Sequence, residues 1–307
     1  MTTTPLTTDP AGSELLAALF CPDCHTSLGS HTDRCPLCGR QRTEAERLPA
    51  PGKPRWTVQA AGAAQSSVVV DDLVIFACKQ GGQGGELLAL ERGSGKRRWT
   101  AAIPIPSPVP LVAHDGRLHL ASGSRLEAAW LCFEAASGRE LWRRDLPEAL
   151  CSAPVVEEAR LACAFYDGSV RCFDSRSGAP LERHAFSFPR GKVWLLRRPH
   201  ALLAFSETGG IMALNPQGLQ PLWDQPLPAG MRLTSPPCAA GDMIFFGGEG
   251  GHLLALDLPA RKVSVFAGDL VNVGAAPATA DGMLFVGAWD RRLHAYALQP
   301  GRAGWVS

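Results

Sequence analysis

Residues 86–99 read ELLALERGSGKRRW, residues 130–142 read WLCFEAASGRELW, and residues 211–223 read IMALNPQGLQPLW. In each, a run of alternating apolar residues ends at Glu91, Glu134 or Asn215, a glycine turn follows, and a tryptophan stands eight positions beyond that polar residue, at Trp99, Trp142 and Trp223. Period-two alternation stopped by a glycine turn is the pattern of two strands joined by a tight connection. The same template finds weaker copies from Asp174 to Glu182, from Asp257 to Val265 and from Ala297 to Trp305. With Trp56 added, the anchors fall at 56, 99, 142, 182, 223, 265 and 305, with spacings of 43, 43, 40, 41, 42 and 40. A period held this closely over the chain marks a repeat architecture.

Between anchors lie two further short runs. Pro110 to His114 and Arg117 to Ala121 flank Asp115-Gly116, Pro154 to Phe165 is split near Glu157-Glu158, Pro237 to Gly247 near Gly241-Asp242, and Pro277 to Val286 at Asp281-Gly282. Each repeat therefore holds four strands, joined as hairpins require. The expected fold is all-β, a propeller of four-stranded blades, because radial closure protects sheet edges that would otherwise pair with other chains. Helical repeats would need period 3.6 over longer runs. Six complete sets of inner strands favour six blades, and counting both Trp56 and Trp305 as outer strands allows seven. The segment around Trp56 is expected to pair with the last blade and so join the two ends of the domain.

These LxALDxxTGxxxW-like segments resemble the repeats of PQQ-like, quinoprotein-type β-propellers, and the resemblance covers residues 55–307. It implies that Trp99, Trp142 and Trp223 lie on outermost strands and pack between neighbouring blades. Glu182 and Val265 depart from the pattern, so those two junctions are expected to stack less firmly, with aliphatic neighbours such as Leu181 compensating.

Ahead of the repeats, Cys21-Pro22-Asp23-Cys24 and Cys35-Pro36-Leu37-Cys38 form two CxxC pairs ten residues apart, a spacing that resembles short zinc ribbons. Four thiolates from Cys21, Cys24, Cys35 and Cys38 satisfy tetrahedral Zn2+ and leave no open position, so the expected site is structural. So small a unit cannot bury a sufficient core, and metal binding supplies most of its folding free energy. The organisation is then a flexible tail over 1–18, a zinc ribbon over 19–40, a linker over 41–54 rich in proline and charge, and the propeller over 55–307.

The 307 residues carry 30 basic and 29 acidic side chains, a net charge of +1, which gives no electrostatic case for nucleic acid or membrane as main partner. No apolar run is long enough to span a bilayer. Leu15 to Phe20 before Cys21 looks like the end of a lipoprotein signal, but Phe20 is bulky, Asp9 and Glu14 precede it, and the first ten residues hold no Lys or Arg. Ten cysteines, four of them in a metal motif, suit a reducing compartment, and the expected location is cytoplasmic.

Other candidate sites read as structure. Cys132 and Cys172 fill the slot of Ala89, Ala213, Ala255 and Ala295, and Cys78, Cys151, Cys163 and Cys238 lie in or beside apolar strands. Asp167, Glu207, Glu249 and Asp290 recur between second and third strands, where turn chemistry explains them and a ring of loops offers a second use. Gly81 to Gly85 is a loop without the Lys-Ser/Thr of a phosphate cradle. The histidines show no metal or triad spacing. The expected function is a non-catalytic protein-interaction scaffold with the zinc ribbon as a second docking module. One alternative is a quinone-dependent dehydrogenase, but those enzymes generally have eight blades, an adjacent-cysteine disulfide and a secretory signal, so PQQ is not expected here. The other is a nucleic-acid adaptor using Arg34, Arg40, Arg42, Arg47 and Lys53, a patch that Glu44 and Glu46 blunt.

Overall fold

Two-residue turns fold the first strand of every repeat onto the second. The partners flanking them are Val70 and Leu73, His114 and Arg117, Glu157 and Arg160, Arg198 and Ala201, Ala240 and Met243, and Ala280 and Met283. Asp71, Asp115, Glu158 and Gly241 take positive φ at the first turn position, the conformation whose twist matches the flanking strands.

The computed structural model describes residues 41, 54–81, 84–106, 109–123, 128–184, 188–228, 230–280, 282–298 and 305–306. The chain divides into two units, Met1–Thr57 with Ser307, and Val58–Val306. Cys21, Cys24, Cys35 and Cys38 lie outside the described residues, as do the tail, the ribbon and nearly all of the linker.

The second unit is six antiparallel sheets, each made of four consecutive strands. Blade 1 holds β1 (Ala63–Val70), β2 (Leu73–Lys79), β3 (Gly84–Glu91) and β4 (Arg97–Pro104). Blade 2 holds β5 (Val112–His114), β6 (Arg117–Gly123), β7 (Ala128–Glu134) and β8 (Glu140–Leu146). Blade 3 holds β9 (Val155–Glu157), β10 (Arg160–Ala164), β11 (Val170–Asp174) and β12 (Pro180–His184). Blade 4 holds β13 (Val193–Arg198), β14 (Ala201–Ser206), β15 (Gly210–Leu214) and β16 (Pro221–Gln225). Blade 5 holds β17 (Cys238–Ala240), β18 (Met243–Gly248), β19 (His252–Asp257) and β20 (Lys262–Ala267). Blade 6 holds β21 (Ala278–Ala280), β22 (Met283–Gly287), β23 (Leu293–Ala297) and β24 (Trp305–Val306).

Two expectations are corrected here. The outer strand of blade 6 is Trp305–Val306, paired with Ala295 and His294, and, among the described residues, 54–60 form no strand and join no sheet. Gly84 and Gly85 are not loop but the first residues of β3, where Gly85 pairs with Lys79.

Side chains from consecutive sheets interlock into one apolar core per junction. Ile75, Leu87 and Ala89 meet Leu118, Leu131 and Phe133 between blades 1 and 2. Trp130 and Phe173 pack edge to face, 4.8 Å between centroids, between blades 2 and 3, and Phe205 and Phe246 do so at 5.3 Å between blades 4 and 5.

The outer tryptophans sit where the repeat places them. Trp99 pairs with Ala89, Trp142 with Cys132 and Trp223 with Ala213. Each lies against the third-to-fourth strand turn of the next blade, at the fourth residue after the polar anchor. A Cβ at Gly138 would stand 2.4 Å from the Trp99 ring, one at Gly178 would stand 2.8 Å from Trp142, and the Arg261 guanidinium lies 5.7 Å from the Trp223 centroid. The Trp99 indole N–H also donates to the Ala135 carbonyl at 3.0 Å.

At the junction where Glu182 replaces the tryptophan, the compensation comes from the other side. Blade 4 carries Leu219 instead of glycine at the turn position, and its side chain is fully buried with Ala162, Val170 and Cys172 of blade 3. Leu181 is 45% exposed and does not fill that gap. After blade 5 the substitute is Phe266, beside the exposed Val265. It packs 4.9 Å from Phe245 and 5.5 Å from Tyr296 of blade 6.

Candidate interaction face

Antiparallel order puts the second-to-third strand turns and the connections between blades at the same end of every sheet. Backbone hydrogen bonds join the two sets. Tyr166 N–H donates to the Ala149 carbonyl, Gly191 to Tyr166, Leu233 to Glu207, Glu249 to Arg232, Leu270 to Gly251 and Trp289 to Asn272, all within 2.8–3.2 Å. This end forms a loop-built face on rigid sheets, an arrangement that suits recognition.

Asp167, Glu207, Glu249 and Asp290 all lie on it, and the turns use most of their acceptors. Asp167 accepts from the Ser169 N–H at 2.9 Å and from the guanidinium of Arg171, which is itself buried over the Phe165 ring. Glu207 accepts from Lys192 N–H at 3.2 Å and from Arg232 at 2.9 Å. Asp290 accepts from Arg292 N–H at 2.9 Å and pairs with His294 Nε2 at 2.8 Å. The Glu249 carbonyl meets His252 Nδ1 at 2.9 Å. The Asp167, Glu207 and Asp290 carboxylates thus shape turns, whereas Glu249 takes part through its backbone carbonyl.

The features that stand out on this face are ones the sequence reading passed over. Trp289 is 72% exposed and Val271 is 63% exposed. Trp289 is the tryptophan that occupies a second-to-third strand turn, against the repeat pattern, and that misplacement was the available signal.

No reactive centre forms among the described residues. Burial pushes the thiols of Cys132 and Cys151 up to about 12 and that of Cys163 well above its ordinary value, so none is a thiolate nucleophile at neutral pH. Among the described residues no cysteine forms a disulfide. Among the described residues no three His, Cys, Asp or Glu side chains are grouped to hold a metal. At the opposite end, a cleft of about 560 Å3 opens between blades 5 and 6, walled by Met243, Phe245, Phe266, Thr279, Met283 and Leu298. The Thr279 hydroxyl lies 3.3 Å from the Ala239 carbonyl.

The fold is that of a PQQ-like β-propeller, with the second-to-third strand turns and the connections between blades at one end. Residues 83–307 match the family described as "Outer membrane protein assembly factor BamB", and the chain belongs to that family. Among solved structures, BamB from Moraxella catarrhalis is similar with a TM-score of 0.63 and 16% identity, over 79% of this chain and 72% of that one. The computationally designed Ika8 protein gives 0.64 and 14%, over 79% and 73%. The quinohemoprotein alcohol dehydrogenase ADHIIG from Pseudomonas putida HK5 gives 0.55 and 11%, over 76% of this chain and 57% of that one. At these identities the likeness is one of fold. No curated protein matches the chain.

Proposed function

We propose that the chain is a non-catalytic scaffold that binds protein partners through the loop face of its propeller, with Cys21, Cys24, Cys35 and Cys38 holding a structural zinc in a second docking module. The observation that carries this reading is the exposure of Trp289 and Val271 on that face, large apolar side chains of the kind that anchor protein interfaces. The family's description, an assembly factor, names work done by protein contact. Against the dehydrogenase alternative stand the six sheets of the described residues, where those enzymes generally have eight blades, and a sequence with no adjacent cysteine pair. Free thiols and paired CxxC turns support a reducing, cytoplasmic setting, which fractionation of host cells with a tagged chain tests.

The experiment is affinity purification from the native host of the intact chain beside a Cys21→Ser, Cys24→Ser variant, with zinc measured in both. One zinc per chain, absent from the variant, and reproducible protein partners, some lost with the metal, are expected. A co-purifying chromophore with no protein partner would overturn the scaffold reading in favour of an enzyme.

A further inference from the structure

The three most exposed large apolar side chains among the described residues are Trp289 at 72%, Val271 at 63% and Leu293 at 61%; Trp289 and Val271 fall in two adjoining segments, and Leu293 is the first residue of β23. One is the connection from blade 5 to blade 6. The other is the turn between β22 and β23. Trp289 N–H, donating to the Asn272 carbonyl at 3.0 Å, ties them together. The indole lies across the connection, since a Cβ on Gly274 would stand 3.1 Å from Trp289 Nε1.

The backbone under this patch is held in costly conformations. Asp269, Val271 and Arg291 take φ of 62°, 62° and 66°. Asn272 N–H donates to the Leu270 carbonyl at 2.7 Å, which puts Val271 at the centre of a γ-turn of the strained, positive-φ kind. A β-branched residue there is a marked outlier, and strain of this type gathers at functional sites. A folding role would be served better by glycine or asparagine. Valine in that conformation presents an isopropyl group to solvent beside the indole.

Charge sets the partner's chemistry. Arg291 and Arg292 are both exposed, and neither guanidinium forms an ion pair among the described residues. Asp290, between Trp289 and the arginines, spends its oxygens on the Arg292 N–H and His294. Asp269 is the one other carboxylate in the two segments. The patch thus offers an indole and a branched aliphatic flanked by two exposed arginines, Arg292 within the electrostatic reach of Asp290 and neither guanidinium in an ion pair among the described residues.

We propose that this patch docks an acidic segment of a partner protein bearing an apolar residue, the apolar side chain resting on Trp289 and Val271 and the carboxylates meeting Arg291 and Arg292. The inference rests on the scaffold reading and gives it a location and a ligand chemistry. Trp and Arg are the residue types that most often dominate binding energy, and charge-assisted contacts add register and salt sensitivity.

The test uses the full chain and short fluorescent peptides: an acidic one with a central Phe or Leu, its Asn/Gln counterpart, and a basic one, with a labelled single-stranded oligonucleotide as a fourth probe. Preference for the acidic peptide, weakening as salt rises, is expected. Trp289→Ala should weaken it about tenfold. Arg291→Ser with Arg292→Ser should abolish the preference over the neutral peptide, and Asp269→Asn should tighten binding. Melting curves confirm that the variants fold. Equal binding of all peptides, no binding at all, unchanged binding by Trp289→Ala, or tighter binding of the oligonucleotide overturns the proposal. Host partners retained in full by the Trp289 and arginine variants overturn this site and leave the scaffold standing, whereas absence of any host partner from the wild type removes the scaffold reading itself.

Discussion

Gly138 shows how one missing side chain seats a blade. Its φ of +72° and the 2.4 Å approach of a Cβ to the Trp99 ring leave no room for alanine, and Trp99 is pinned by its bond to Ala135. Gly138→Ala should cost about 3 kcal/mol in urea denaturation, from left-handed strain and overpacking together. Gly93→Ala, with open space at its Cβ, should be near neutral. Leu219 is the complementary case, large where Gly138 is absent of bulk, and Leu219→Ala should cost about 2–5 kcal/mol by leaving a cavity. His119 adds a pH dependence. It is 1% exposed, stacked near Trp130 and Trp142, with both ring nitrogens unbonded. Burial, reinforced by His114 and Arg117, lowers its pKa from 6.5 to about 4. A base whose folded pKa is depressed contributes stability above the unfolded pKa and loses it as pH falls through the folded one. Between pH 6.5 and 4 the loss from this residue approaches about 3 kcal/mol. Denaturation at pH 7.5 and 4.5 should show that difference shrinking in His119→Leu.

At the scale of the element, the outer strands explain what could be foreseen. The polar anchor is legible because it does a job that needs that chemistry: Ser94 donates to Glu91 at 2.6 Å and Ser177 to Asp174 at 2.7 Å, closing the same turn. The tryptophan is legible because an indole in strand four pairs with a small residue in strand three, which is also why Cys132 and Cys172 stand in an alanine slot. What escaped notice is compensation across a junction. Position 219 carries leucine where the first three blades have glycine, but nothing in the linear pattern couples it to position 182 of the preceding repeat. Blade 5 escaped for another reason. In the first four blades a bulge falls after the residue paired with the position just before the anchor, whereas here Lys262 pairs directly with Asp257 and the bulge moves to Phe266. The aromatic thus appears one position late. Phe266→Ala should cost about 1–2 kcal/mol while Val265→Ala costs less than about 0.5, a contrast that chemical denaturation reads directly. The exposed patch was missed because a repeat template discards what does not repeat, and Trp289 is such a residue.

Among the described residues the second unit is six sheets of contiguous chain, stacked in chain order. Removing residues 298–307 takes away β24 and leaves β23 as an unprotected edge, so the truncated chain should show a lower melting temperature and concentration-dependent association by light scattering. Because every sheet is assembled from neighbouring strands, a blade is complete as soon as its own fourth strand exists, and synthesis can lay the propeller down in order. The sixth, whose fourth strand is residues 305–306, is completed last. On the ribosome, five blades are ready to fold while the flank of the sixth still waits for Trp305 to leave the exit tunnel, and during that interval the nascent chain presents the edge of β23 to whatever chaperone is at hand.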